Sequence, residues 1–304
     1  MLMQGIDSYL QLRRAAGFQL RDTEALLKEF ACFAAERGEI HIKADTAIAW
    51  AGRATSLKQR ARRLNSLILF ARYIRAEDAD HQVPPSGVFA HPPYSRPLPH
   101  IFTPTQIAAI LAEAKQLPPP GTLRPHTFYT LFGLVAACGL RISEALALQI
   151  DDIRPDGLYI RETKFRKSRL VPLHPSTAKQ LALYLDRRRQ VAPLETHVFV
   201  SLRNKPLRYP TVNETFLLLL RKLGLRAGPG QPGPRLHDAR HTFASRALEK
   251  GPDEPSRITR HMLALSTYLG HAHVTDTYWY LQSTTKLMTD IANDCQAYWE
   301  GGRP

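Results

Sequence analysis

Residues 126–148 read HTFYTLFGLVAACGLRISEALAL. From His126 to Cys138 the run is almost continuously apolar, longer than a typical strand and free of proline. That pattern predicts a helix buried on all sides. Gly139 should end it, and a second helix is expected from Ile142 to Leu148. Arg141 lies between the two, a guanidinium in an otherwise apolar region. Burying such a charge without partners is costly. Arg141 therefore either pairs with a local acid such as Glu144 or points into a site, and taken alone the local pair is the simpler reading.

The pattern continues on both sides. Thr103 is an expected N-cap for a helix reaching Leu111. Downstream, Gly157 to Glu162 and Arg169 to Leu173 suggest two short strands around a basic turn at 163–168. Further helices are expected over 176–190, 211–223, 237–250, 258–269 and 285–299. Residues 1–80 read as helical, with amphipathic stretches over 22–37 (Leu26, Leu27, Phe30, Phe33 and Ala34 on one face) and 57–74 (Leu64, Leu67, Ile68, Ala71 and Ile74). Pro84, Pro85, Pro92, Pro93, Pro97 and Pro99 mark an extended connector. The fold class is thus mainly α with a small β-sheet, in two domains: a helical one over 1–90, a proline-rich linker over 91–100, and a mixed one over 101–304.

The chain has 304 residues with 41 Lys plus Arg against 27 Asp plus Glu, a formal charge of +14. Such a surplus favours a polyanionic partner, because each phosphate contact releases condensed counterions. Both halves of the chain are basic. From Arg53 to Arg75 there are seven basic residues and no acid, among them Lys58, Arg60, Arg62 and Arg63. A solvated helix face usually mixes signs, so this stretch is expected to meet phosphates, although a solvated stripe would also produce it. No stretch is apolar for the ~18 residues that a membrane span requires, and the first ten residues make a poor signal peptide. Cys32, Cys138 and Cys295 lack metal or disulfide spacing and are expected to be core fillers of a reduced, intracellular protein.

Three further segments carry polar residues that a core does not need. The turn Thr163-Lys164-Phe165-Arg166-Lys167-Ser168-Arg169 is either solvated or able to enter a DNA groove. In Leu236-His237-Asp238-Ala239-Arg240-His241-Thr242-Phe243, His237 and Arg240 share a helix face. In Leu269-Gly270-His271, followed by Thr277-Tyr278-Trp279-Tyr280-Leu281, His271 precedes Tyr280 by nine residues. His237, His241, His271 and His273 invite a zinc reading. No cysteine or third carboxylate accompanies them, so no metal is expected.

The motifs CGLRISEAL, TKFRKSRLVPL, LHDARHTFAS and LGHAHVTDTYWYL, in that order, resemble the tyrosine recombinase/integrase family. The resemblance is close over residues 100–285 and general over 1–90, which resembles the family's helical core-binding domain. It implies two domains clamping duplex DNA and a catalytic set of Arg141, Lys164, His237, Arg240, His271 and Tyr280, with Glu144 supporting Arg141. Lys167, on the same turn, competes with Lys164. Tyr278 does not fit the spacing and, with Trp279, is expected to pack and set the angle of Tyr280. Arg53, Lys58, Arg60, Arg62, Arg63, Arg166, Lys167 and Arg169 are the expected DNA contacts.

The same resemblance implies a reaction without cofactor or metal. Two guanidiniums would stabilise charge on the non-bridging oxygens, and Tyr280 would form a 3′-phosphotyrosine. It implies a cytoplasmic, nucleoid-associated protein working as a homo-tetramer, a dimer of dimers, on a double-stranded recombination site. Accessory DNA-bending proteins are among the partners it allows. One departure stands out: Arg240 and His271 lie 31 residues apart, and Lys250 to Arg260 looks like an insertion. Long versions of this kind ending in Thr-Tyr-Trp-Tyr-Leu resemble integrases of transposons and other mobile elements. The C-terminal stripe Leu287, Ile291, Cys295 and Tyr298 would pack on its own domain or on a neighbouring subunit. Two other readings stay open: a DNA-binding relative without cleavage activity, and a type IB topoisomerase-like enzyme.

Overall fold

The computed structural model describes residues 2–89, 98–161, 168–250, 255–271, 273–280, 289 and 296. The chain divides into two compact units, Met1–Pro97 and Leu98–Pro304.

The first unit is built from α1 (Leu2–Ala15), α2 (Arg21–Ala35), α3 (Ala44–Gly52) and α4 (Leu57–Arg75). Ser56 starts α4 in an extended conformation, its side chain accepting the backbone N–H of Gln59, which satisfies one orphan donor of the first turn. Leu27, Phe30, Phe33 and Ala34 of α2 meet Leu64, Leu67, Ile68, Ala71 and Ile74 of α4 in one core that also takes Ile6 and Leu10 of α1. Trp50 of α3 is buried edge-on to Phe30.

One sequence-based expectation fails in this unit. Cys32 is exposed, not a core filler. At about 100° per residue it lies half a turn from the centre of the arc formed by Leu27, Phe30, Ala31 and Ala34. The basic stretch is not of one sign in space. Arg62 donates to Asp22 at 2.6 Å, and Arg63 pairs with Glu29 at 2.9 Å, so α2 supplies the acids that α4 lacks. Arg60 donates to the carbonyl of Ala54 at 2.8 Å, and Arg53 lies over the ring of Phe33. Among the described residues Lys58, Arg72 and Arg75 have no ion-pair partner.

The second unit opens with α5 (Pro104–Ala114), whose start is a capping box between Thr103 and Gln106. The apolar run becomes α6 (Leu123–Cys138), and Gly139 ends it with φ 59°. This helix packs against α5, α8 (Pro175–Val191) and α10 (Asp238–Glu249), which explains its lack of a polar face. The remaining helices are α7 (Ile142–Ala147), α9 (Tyr209–Lys222), α11 (Pro255–Leu269) and α12 (Thr275–Tyr278).

The sheet has three antiparallel strands, not two: β1 (Ile153–Arg154), β2 (Gly157–Ile160) and β3 (Arg169–Val171), in the order β1-β2-β3. Arg154 pairs with Gly157 across a tight turn, and Ile160 pairs with Arg169. Two residues are too few for β1 to show alternation. The stretch read as an insertion over 250–260 supplies the first turn of α11 from Pro255 onward, a position where proline costs no hydrogen bond. Most of the expected helix over 285–299, with Leu287, Ile291, Cys295 and Tyr298, lies outside the described residues. Among the described residues no helix is long and apolar enough to cross a membrane.

Candidate active site

The site is organised by the end of α11. A helix leaves its last carbonyls without intrahelical partners and carries partial negative charge there. Gly270, at φ 66°, turns the chain away, and three arginines collect on the exposed carbonyls. Arg141 donates to the carbonyls of Leu269 at 3.3 Å and Gly270 at 3.0 Å. Arg240 donates to the same Leu269 carbonyl at 2.6 Å. Arg169 donates from Nε to the carbonyl of Tyr268 at 2.7 Å. Residues far apart in sequence are thus held by one helix terminus.

Each arginine has a second anchor. Arg141 is the N-cap of α7. Its Nη1 donates to Glu144 at 2.8 Å and its backbone N–H to the other carboxylate oxygen at 3.0 Å. Both alternatives weighed for Arg141, a local acid or a site, hold together here. Arg240 is 1% exposed and donates to the carbonyl of Gly139, the helix-stopping residue, at 2.7 Å. Burial, and then the charge of Arg141, lowers its pKa to about 10, so it stays charged at neutral pH.

His271 follows Gly270 directly. Its Nε2 lies 3.2 Å from Nη2 of Arg240, and its Nδ1 lies 2.8 Å from Oγ1 of Thr277. Burial, followed by the charges of Arg240 and Arg141, brings its pKa down to about 4. The ring of Tyr280 lies parallel to that of His271, with centroids 5.9 Å apart. Tyr280 is buried, 3% exposed. His241 packs against Tyr280 at 5.4 Å and against His237 at 4.5 Å. His237 is itself lowered in pKa by burial and then by Arg240. The residue as a whole is exposed, so solvent damps that effect.

Arg141, His237, Arg240, His271 and Tyr280 are therefore brought together, with Glu144 beneath Arg141. Lys164, Arg166 and Lys167 lie outside the described residues. Arg169, expected on DNA, is turned inward: its side chain is 9% exposed and grips Glu144. Tyr278, expected to pack, is 51% exposed, because α12 sends it to the opposite side from Thr277 and Tyr280. Sequence reading weighed His241 only as a metal ligand and passed over Thr277. The four-residue spacing from His237 to His241 was the available signal for the first, and nothing local marks the second.

One cluster among the described residues has metal-ligating types, His41, Asp78 and His81, in the first unit. The backbone N–H of Ile42 donates to Nδ1 of His81 at 3.0 Å, so the neutral ring carries its proton on Nε2, facing Asp78. A histidine ligand normally donates its second N–H to an acceptor. Here that nitrogen accepts, and the trio fits a hydrogen-bonded latch better than a metal site. Burial pushes the Cys138 thiol up to about 12, which suits packing and not nucleophilic chemistry.

Residues 100–286 match the phage integrase family. The chain is 40% identical over 307 residues to a protein of Sinorhizobium fredii named integrase/recombinase y4rB, with 98% of each chain covered. It is 28% identical over 292 residues to tyrosine recombinase XerD of Brucella abortus, covering 90% of this chain and 85% of that one. Among solved structures, a lambda integrase tetramer bound to a Holliday junction matches with a TM-score of 0.63 at 18% identity. That match covers 92% of this chain and 76% of the other.

Proposed function

The chain belongs to the phage integrase family and is a site-specific DNA recombinase, and we propose that it cuts and rejoins DNA through a covalent link to Tyr280. The Tyr280 hydroxyl attacks the scissile phosphorus, and the bond to the 5′-oxygen breaks. The products are a 3′-phosphotyrosine and a free 5′-hydroxyl. The ester retains the bond energy, so ligation needs no nucleotide cofactor.

Each group has a chemical reason. Negative charge grows on the non-bridging oxygens, and Arg141 and Arg240 offer planar pairs of donors to meet it. A phenol is protonated at neutral pH. His237, kept neutral, takes the Tyr280 proton as the bond to phosphorus forms. Lys164 delivers a proton to the leaving oxygen. His271 orients the phosphate, and Glu144 holds Arg141. Arg53, Lys58 and Arg60 of the first unit, with Arg166 and Lys167 of the second, contact the DNA backbone. The substrate is a duplex recombination site of a mobile element that the enzyme integrates, excises or resolves. It acts as a tetramer on two duplexes, with accessory DNA-bending proteins where the site requires bending.

The observation that carries this reading is the convergence of Arg141 and Arg240 on one carbonyl, that of Leu269, beside stacked His271 and Tyr280. The test uses nicked suicide duplexes made from DNA flanking the gene. Wild-type protein should become covalently attached, and Tyr280→Phe should bind equally well without attachment. Adducts that persist in the Phe variant would remove Tyr280 from the role. A protein that only binds would give none with either form, and a topoisomerase would relax supercoils without exchanging strands.

A further inference from the structure

We propose that Arg169 is a positioning residue for strand cleavage: it grips Glu144 and Tyr268, and so fixes the guanidinium of Arg141. This rests on the function proposed above. It assigns Arg169 to the interior of the site in place of the DNA contact that its position beside a basic turn suggests.

The geometry is a brace across three elements. Arg169 opens β3 and meets both carboxylate oxygens of Glu144, Nη1 to Oε1 at 3.1 Å and Nη2 to Oε2 at 2.8 Å. Its Nε donates to the carbonyl of Tyr268 in α11. Such a two-pronged contact needs a planar fork, which lysine lacks. Glu144, 7% exposed, then holds Arg141 through its side chain and backbone. Arg141 in turn binds the Leu269 and Gly270 carbonyls. The loop closes on itself: β3, α7 and the end of α11 fix one another through a single carboxylate.

Two further observations fit. A Cβ on Gly270 would stand 2.7 Å from Nη1 of Arg169, so the Leu-Gly-His turn is shaped around this side chain. Burial alone would raise the pKa of Glu144. The hydrogen bond and charge of Arg169, and then the bond from Arg141, outweigh it and lower the pKa overall. Arg169 thus keeps Glu144 ionised in a buried place. Ile160 pairs with Arg169, so the base of the strand pair whose connection carries Lys164 in sequence is tied to the same brace.

The test is a cycle of Arg169→Gln, Glu144→Gln and the double variant, read by single-turnover adduct formation and by DNA affinity at several salt concentrations. Arg169→Gln should slow adduct formation on the order of 10²-fold, with affinity and salt slope unchanged. Its acid limb should move to higher pH, because Glu144 has lost its main cationic partner. The double variant should be no slower than the slower single one. It also removes the carboxylate charge that Arg169→Gln leaves with Arg141 as its one cationic partner. Arg169→Lys, which retains a charge, should still lose about tenfold.

A salt slope reduced by about one, with normal cleavage of bound DNA, would put Arg169 on a phosphate and overturn the proposal. So would losses that multiply in the double variant, or an unchanged rate in Arg169→Lys. Absence of adducts with the wild type would instead sink the cleavage reading. The salt slopes would still decide which way Arg169 faces.

Discussion

Nη2 of Arg240 lies 3.2 Å from Nε2 of His271, and because a guanidinium only donates, that contact fixes the imidazole tautomer. Nε2 is the acceptor, so the ring proton sits on Nδ1 and is donated to Oγ1 of Thr277 at 2.8 Å. A second ring proton would point at a cation. The electrostatics agree with the geometry, since burial and the charges of Arg240 and Arg141 bring the pKa down to about 4.

This has a consequence for stability. An unfolded histidine titrates near pH ~6.5, and folded His271 near about 4. Between those values the unfolded chain binds more protons, so stability should rise with pH across that window and level off above it. The full swing from His271 is on the order of 3 kcal/mol before solvent screening of its partly exposed ring reduces it. His237 acts in the same direction. Denaturant midpoints taken through the window should show the rise, and His271→Gln should flatten part of it. An identical profile in the variant would contradict the assignment.

Thr277 is fully buried, and its hydroxyl is the acceptor that holds His271 in this tautomer. Thr277→Val preserves shape but leaves the Nδ1 proton without its acceptor, at a cost of about 1–3 kcal/mol. The ring is then free to turn, and adduct formation should fall roughly tenfold. Thr277→Ser should restore most of both. Thermal unfolding and single-turnover cleavage separate the two effects. Normal cleavage by the valine variant would mean that the orientation of His271 is set elsewhere.

Gly139 serves the fold and the site together. Its φ of 59° suits glycine, and an added Cβ would stand 2.4 Å from the ring of Phe243. Gly139→Ala should therefore cost about 1–3 kcal/mol from overpacking and about 1 kcal/mol more from backbone strain. It should also displace the carbonyl that receives Arg240, lowering cleavage of bound DNA. Gly224→Ala is the control, with φ 66° and no atom within 4 Å of the new Cβ. That variant should lose only the strain contribution and keep full activity. Equal losses at both positions would rule out the crowding argument.

What the sequence made legible follows the range of the interactions. Gly139 and Gly270 mark helix ends, and Arg141 and His271 sit one or two residues beyond them, so local pattern marked both segments while the family resemblance supplied their roles. The apolar faces of α2 and α4 were visible because helical periodicity is local. Arg169 was misread because its partner Glu144 is 25 residues away, and no periodicity spans that distance. The pairs of Arg62 with Asp22 and Arg63 with Glu29 bridge 40 and 34 residues, so the stretch looked single-signed when α4 was read alone. Cys32 failed for a different reason: an apolar neighbourhood says nothing about helical phase. Thr277 is set by the return of the chain toward His271, which only the folded backbone reveals.

Under the proposed mechanism a phosphate must touch both Arg240 and Tyr280, yet these are 1% and 3% exposed. Engagement of the recombination site therefore has to open the ring stack. Trp279 reports on that opening, lying edge-on to Tyr280 at 5.4 Å and to His241 at 4.8 Å. Its emission should change when a duplex carrying the site binds and stay constant with unrelated duplex at equal occupancy. In a background with Trp50 and Trp299 replaced by Phe, Trp279→Phe should abolish the change. A fluorescence change of the same size in Trp279→Phe would show that the stack stays closed on binding, and the phosphate would need another route to Tyr280.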